Sequence, residues 1–158
     1  VVGYRDILRA PALRILAAGV VVGVVFCAAV VSGYHASGNP AFCTACHSMK
    51  DVGDTWGRSL HKQYACIECH LPDSNLVAQA AYKTRAGLND LYHETLRSYP
   101  ASLRLSDEGR GIVEGNCLRC HFSTVQNTFM ASPGTACLNC HRALIHGTGL
   151  VQGGISVE

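Results

Sequence analysis

Four copies of Cys-x-x-Cys-His constrain this 158-residue chain more than anything else in it. They read Cys43-Thr-Ala-Cys46-His47, Cys66-Ile-Glu-Cys69-His70, Cys117-Leu-Arg-Cys120-His121 and Cys137-Leu-Asn-Cys140-His141. In each, two thiols can add across the vinyl groups of a haem, and the next residue offers an imidazole to the iron. Eight of the nine cysteines are used this way. Only Cys27 remains, inside an apolar run, so no structural disulfide is available. Paired Cys-x-x-Cys motifs can instead hold zinc through four thiolates. Such a site needs no His after every second Cys, and here all four have one. A thioredoxin-like reading wants one reactive pair near a βαβ pattern, not four pairs without strands. The pattern therefore predicts four covalently bound c-type haems, with electron transfer as the chemistry.

Residues 15–34 read ILAAGVVVGVVFCAAVVSGY, with no charge. That length suits one helix across a bilayer. Arg5, Arg9 and Arg14 precede it against a single acid, Asp6. Positive charge flanks the cytoplasmic end of a span. We therefore expect residues 1–14 inside, a transmembrane helix at 15–34, and residues 35–158 outside, in the periplasm of a Gram-negative cell. Covalent haem attachment belongs to that side. A cleaved signal peptide is the competing reading, but the apolar run is longer than a usual signal core. Gly19 and Gly23 form a small-xxx-small pair that would suit a homodimer through the anchor, or simply a glycine-rich span. Sixteen of its twenty residues are apolar, against 48% for the whole chain. A net charge of +2 omits the haem propionates, and no basic stripe points to nucleic acid.

The expected fold is mainly α: one transmembrane helix, then a small loop-rich domain whose core is its haems. The motifs fall into two pairs, suggesting two dihaem modules joined by a helical insert. Pro72-Asp73-Ser74-Asn75 offers start signals for that insert. From Leu76 to Ser98, Val77, Ala81, Thr84, Leu88, Leu91 and Thr95 recur at helical spacing on one face. Lys83, Gly87, Asp90, Glu94 and Arg97 follow the same rhythm on another. Pro100 is expected to stop the helix. A second helix is expected from Ser106 to Asn116, delivering Cys117 at its end, and the glycine-rich tail from Gly147 is expected to be extended or mobile.

Four irons have eight axial positions, and the chain has eight His: four in motifs, plus His35, His61, His93 and His146. The simplest count makes every haem bis-histidine. Tether length argues against pairing each free His with its nearest motif. His61 lies five residues before Cys66, and His146 five after His141, too short to wrap a macrocycle. Each is better placed to reach a neighbouring haem. His35 abuts the membrane end and His93 sits on the insert helix, so both read as ordinary polar residues. Met49, two residues past His47, can compete for the first iron or simply pack.

The single anchor, four motifs and the run His47-Ser48-Met49 together resemble the NapC/NirT-type family of membrane-anchored tetrahaem quinol dehydrogenases. The resemblance covers essentially the whole chain. It implies that menaquinol gives its electrons to the haem nearest the membrane, and that the chain passes them to a larger periplasmic multihaem reductase. The pentahaem nitrite reductase is the foremost candidate. Quinol oxidation for another reductase, or a tethered carrier without quinol chemistry, are the alternatives. The resemblance further implies Met49 rather than His47 on haem 1, Asp90 on its distal side and Lys83 in the quinol pocket. It implies His70 with His146, and His121 with His61, as bis-histidine pairs. His141 would hold haem 4, whose sixth ligand would be a lysine of the partner. Nine residues separate Tyr34 from Cys43, a reach of at most about 30 Å, so haem 1 should lie near the membrane surface, where quinol arrives. Asp90 can accept a proton there, and Lys83 can hydrogen-bond a quinone oxygen.

Overall fold

The computed structural model describes residues 4–100, 102–132, 134–141 and 143–147. The tail beyond Gly147, expected to be extended or mobile, lies outside the described residues. Among the described residues there are helices, turns and loops but no strand. The chain divides into two units, one ending at Ser37 and one beginning at Gly38.

The first unit is helix α1, Tyr4–Ala36. The apolar run drives it, but the helix extends well past residues 15–34 at its N-terminal end. Nothing in Tyr4–Arg14 except Pro11 opposes helix, and Pro11 costs only local hydrogen bonding. The stretch Pro11–Ala36 contains an 18-residue window of mean hydropathy 2.7 and is long and apolar enough to cross a membrane. The helix closes where the Ser37 hydroxyl turns back to the Tyr34 carbonyl at 2.9 Å.

The second unit is built from short helices: α2 (Pro40–Cys43), α3 (Lys50–Arg58), α4 (Cys66–His70), α5 (Leu76–Leu96), α6 (Asp107–Val125) and α7 (Cys137–His141). Side-chain caps start three of them. Asn39 accepts from the Ala41 amide, Asn75 from Ala78 and Ser106 from Gly109, at 2.9, 3.0 and 3.1 Å. The insert helix α5 begins where the start signals place it. It ends at Leu96, before Pro100 is reached, because Arg97 adopts a left-handed conformation (φ 51°, ψ 35°). The Arg97 and Ser98 amides then bond back to the Glu94 and His93 carbonyls.

Helix α6 departs from expectation more clearly. It does not stop at Asn116 but runs through the third motif to Val125. Cys117-Leu-Arg-Cys-His121 contains no breaker, so the motif continues the helix. The two motif pairs pack within one unit, joined where α4 meets α6.

The protein supplies almost no apolar core to this unit. Among the described apolar side chains only Val113 is buried, at 6% exposure. A domain of this size ordinarily needs far more buried surface to fold alone. The residues therefore suit a fold organised around large apolar prosthetic groups.

Candidate haem-binding and electron-entry site

The four motifs do not share one conformation. Motifs 2 and 4 are single five-residue helices, α4 and α7, and motif 3 lies inside α6. Motif 1 is broken. Cys43 ends α2, Thr44 to Cys46 form a turn, and His47–Met49 starts a separate 3-10 turn that leads into α3. A Cβ on Gly53 of α3 would overlap the Thr44 methyl group, so glycine is what lets α3 lie against this broken motif.

Polar side chains of α6 hold the motifs beside it. Asn116, only 4% exposed, donates both amide hydrogens, to the carbonyls of Cys69 and Leu71 at 2.8 Å each. Arg119 donates to the Glu68 carbonyl at 2.7 Å and pairs with the Glu68 and Asp73 carboxylates. Glu114 accepts the backbone N–H groups of Cys137 and Leu138 at 2.6 and 3.0 Å, capping motif 4. One helix thus carries motif 3 and grips motifs 2 and 4.

The attachment cysteines form a continuous series. The Cys66 thiol hydrogen-bonds Cys43, which holds Cys43 down to about 7 and pushes Cys66 up. Cys69 is close enough to Cys120 and Cys117 to feel their charge, and Cys117 to Cys137. Burial raises Cys117 to about 11. The order along this series is motif 1, 2, 3, 4.

Two imidazole pairs meet across the sequence. The rings of His61 and His121 lie 6.1 Å apart, and those of His70 and His146 6.0 Å apart. With imidazole–metal bonds of about 2 Å, two rings on opposite sides of one metal would be roughly 6.4 Å apart, centre to centre. The pairs therefore fit a shared iron. His61 Nδ1 is buried without a hydrogen-bond partner among the described residues. His146 Nδ1 is 3.2 Å from the Val52 carbonyl, a bond that orients its ring. Protein atoms crowding His70, and then the proximity of His146, hold its imidazole down to about 4, although the residue as a whole is exposed. Burial lowers His146 as well. Neutral imidazole is the form that binds metal.

Among the described residues, no second imidazole contacts the rings of His47 or His141. His93 Nδ1 is engaged by Ser98, at 2.8 Å from its hydroxyl and 3.2 Å from its carbonyl, and His35 ends α1. Lys83 and Asp90 both face motif 1 closely enough for their charges to act on Cys43. Loss of water to nearby protein atoms lowers Lys83 and raises Asp90, although Asp90 keeps an exposed side, and His93 opposes the shift at Asp90. A carboxylate displaced upward is a better proton acceptor near neutral pH. Sequence reasoning did not find Glu94, Glu114, Asn116 or Arg119 as holders of the motifs. Glu114 and Asn116 sit directly before motif 3, which was a usable signal; Glu94 gave none beyond its place in the α5 rhythm.

An apolar N-terminal helix, haem-attachment motifs and paired imidazoles define a membrane-associated multihaem c-type cytochrome. Residues 8–150 match the NapC/NirT cytochrome c family, N-terminal region, and the chain belongs to that family. It is 36% identical over 135 residues to the cytochrome c nitrite reductase subunit NrfH of Nitratidesulfovibrio vulgaris, covering 85% of this chain and 84% of that one. It is 35% identical over 124 residues to the cytochrome c-type protein NrfH of Wolinella succinogenes, covering 70% of each. A chain in the crystal structure of the cytochrome c nitrite reductase NrfHA complex bound to the HQNO inhibitor aligns with a TM-score of 0.74 and 30% identity, over 91% of this chain and 99% of that one.

Proposed function

We propose that this protein is the single-pass membrane subunit that takes electrons from menaquinol in the cytoplasmic membrane and delivers them to a larger periplasmic nitrite reductase. It is an electron-transfer subunit of an oxidoreductase complex; nitrite reduction itself occurs on the partner. Residues 1–14 face the cytoplasm, the apolar segment spans the membrane and the haem unit faces the periplasm. The observation that carries the reading is the grouping of Lys83 and Asp90 against the one motif with a broken conformation. The likeness to NrfH proteins over most of both chains supports the nitrite reductase partner.

Four c-type haems, bound through Cys43/Cys46, Cys66/Cys69, Cys117/Cys120 and Cys137/Cys140, supply one-electron iron centres. Met49, rather than His47, would hold the first iron. His70 with His146, and His121 with His61, would hold the second and third. His141 would hold the fourth, with a lysine of the reductase completing it.

Oxidation of a quinol to a quinone releases two electrons and two protons. Lys83 binds a quinol oxygen and orients the ring. Asp90 accepts one hydroxyl proton on its carboxylate, the reaction its raised affinity for protons favours, and the second proton passes to water. The partner claim is tested by recording spin states with and without the reductase. The His141 haem should become six-coordinate and low-spin only in the complex; an unchanged signal on dissociation would contradict the shared ligand.

A further inference from the structure

The turn His47–Met49 is held by a residue 47 positions away. Glu94 Oε1 accepts the His47 backbone N–H at 2.9 Å, and Glu94 Oε2 accepts the Ser48 hydroxyl at 2.6 Å. Ser48 is 7% exposed, so its hydroxyl has little access to water. The bond from Ser48, and then those from the His47 and Ser48 amides, keep the Glu94 carboxyl below its ordinary range and ionised. Glu114 caps motif 4 differently. It grips the first two residues of α7, upstream of His141, and leaves the motif helical.

The consequence lies in which acceptor takes one hydrogen. In a helical Cys-x-x-Cys-His motif, the His amide bonds to the carbonyl of the first Cys, four residues back. Motifs 2 and 4 are helical over these five residues. In motif 1 the His47 amide goes to Glu94 instead, the helix is broken after Cys43, and a new turn begins at His47. The His47 backbone therefore starts a new turn, where His70 and His141 close a motif helix. Met49 comes round at the end of the new turn.

Helix geometry ties this turn to the quinol groups. At about 100° and 1.5 Å per residue, Lys83, Asp90 and Glu94 fall within roughly 40° of arc on α5, with Glu94 about 6 Å beyond Asp90. Charge from Lys83 and Asp90 reaches Cys43, and charge from Asp90 and Glu94 reaches Cys46. One stripe of one helix thus faces the whole of motif 1.

We infer that Glu94 is a positioning residue that selects Met49 over His47 at the first haem, by taking the His47 amide from the Cys43 carbonyl and fixing the ligand turn in register with Lys83 and Asp90. The inference rests on the quinol reading for its second clause and on the hydrogen bonds alone for its first.

The test compares Glu94→Ala, Glu94→Gln and Ser48→Ala in the full haem-loaded protein, with Met49→Leu as the reference for the sulfur-ligated signal. Mass should show the wild-type haem content in each variant. Magnetic circular dichroism of Glu94→Ala should lose the Met49-dependent signal and gain a nitrogen-ligated one, and adding His47→Ala should abolish the new signal. Glu94→Gln and Ser48→Ala, which each remove only part of the grip, should shift the signal partially. Reduction by a menaquinol analogue should slow in Glu94→Ala by about 10- to 100-fold, the scale for misplaced reacting groups. Reduction by a small chemical reductant should not change. An unaltered Met49-dependent signal in Glu94→Ala would overturn the inference. If Glu94→Ala does not assemble, an unaltered signal in both milder variants would do so. A ligand switch in a protein that menaquinol never reduces would keep the role of Glu94 and defeat the quinol reading instead.

Discussion

The rings of His61 and His121 stand 6.1 Å apart although sixty residues separate them in the chain. Five residues are too few to carry His61 round a group held at Cys66, and α6 brings the His121 ring beside it instead. His70 and His146 repeat the arrangement from the far end of the chain. Such crossed pairing would link neighbouring haems mechanically, because each ligand is anchored beside a different macrocycle.

Removal of a crossed ligand should therefore affect one haem only. His61→Ala should convert the haem attached at Cys117 and Cys120 from low-spin to high-spin, and His146→Ala the haem at Cys66 and Cys69. Electron paramagnetic resonance, with haem content by mass, checks both. A low-spin count unchanged in either variant would remove that residue from the ligand set.

The first haem should differ from the second and third. Motif 1 is the one with a broken helix, and Met49 ends its new turn. Met49→Leu should alter one haem signal and leave the others in place. Spectra showing four equivalent bis-histidine haems in the wild type would restore the simple count of eight histidines on four irons.

Asn116 should be a stability residue rather than an electron-transfer residue. It is buried and satisfies two carbonyls at the end of motif 2. Asn116→Ala leaves both without that donor and should destabilise the fold by about 1–3 kcal/mol. Thermal or denaturant unfolding of the haem-loaded protein measures this. The variant should keep the wild-type rate of reduction by quinol at low temperature.

Much of the architecture was legible because its causes are local. Four motifs, one long apolar run and the Asn75 cap each act within a few residues. Helix ends were harder. Pro100 looked like the stop for α5, but a left-handed Arg97 closes the helix earlier through backbone bonds that composition does not reveal. Asn116 looked like the end of α6, yet the motif residues themselves sustain helix to Val125. The crossed histidines were legible as a constraint on reach. Glu94 was not, because its bonds to His47 and Ser48 span 47 and 46 residues and depend on how α5 lies against motif 1.

The most direct test of the account is reduction of the purified, lipid-embedded protein by a menaquinol analogue, followed optically in wild type, Lys83→Leu and Asp90→Asn. Partial desolvation perturbs both residues and both act on Cys43. The account predicts rapid reduction in the wild type and slowing by about 100-fold or more in Asp90→Asn, the range for loss of a general base. Lys83→Leu should also slow it, and both variants should keep wild-type haem content and wild-type reduction by a small chemical reductant. Wild-type quinol rates in both variants would contradict it.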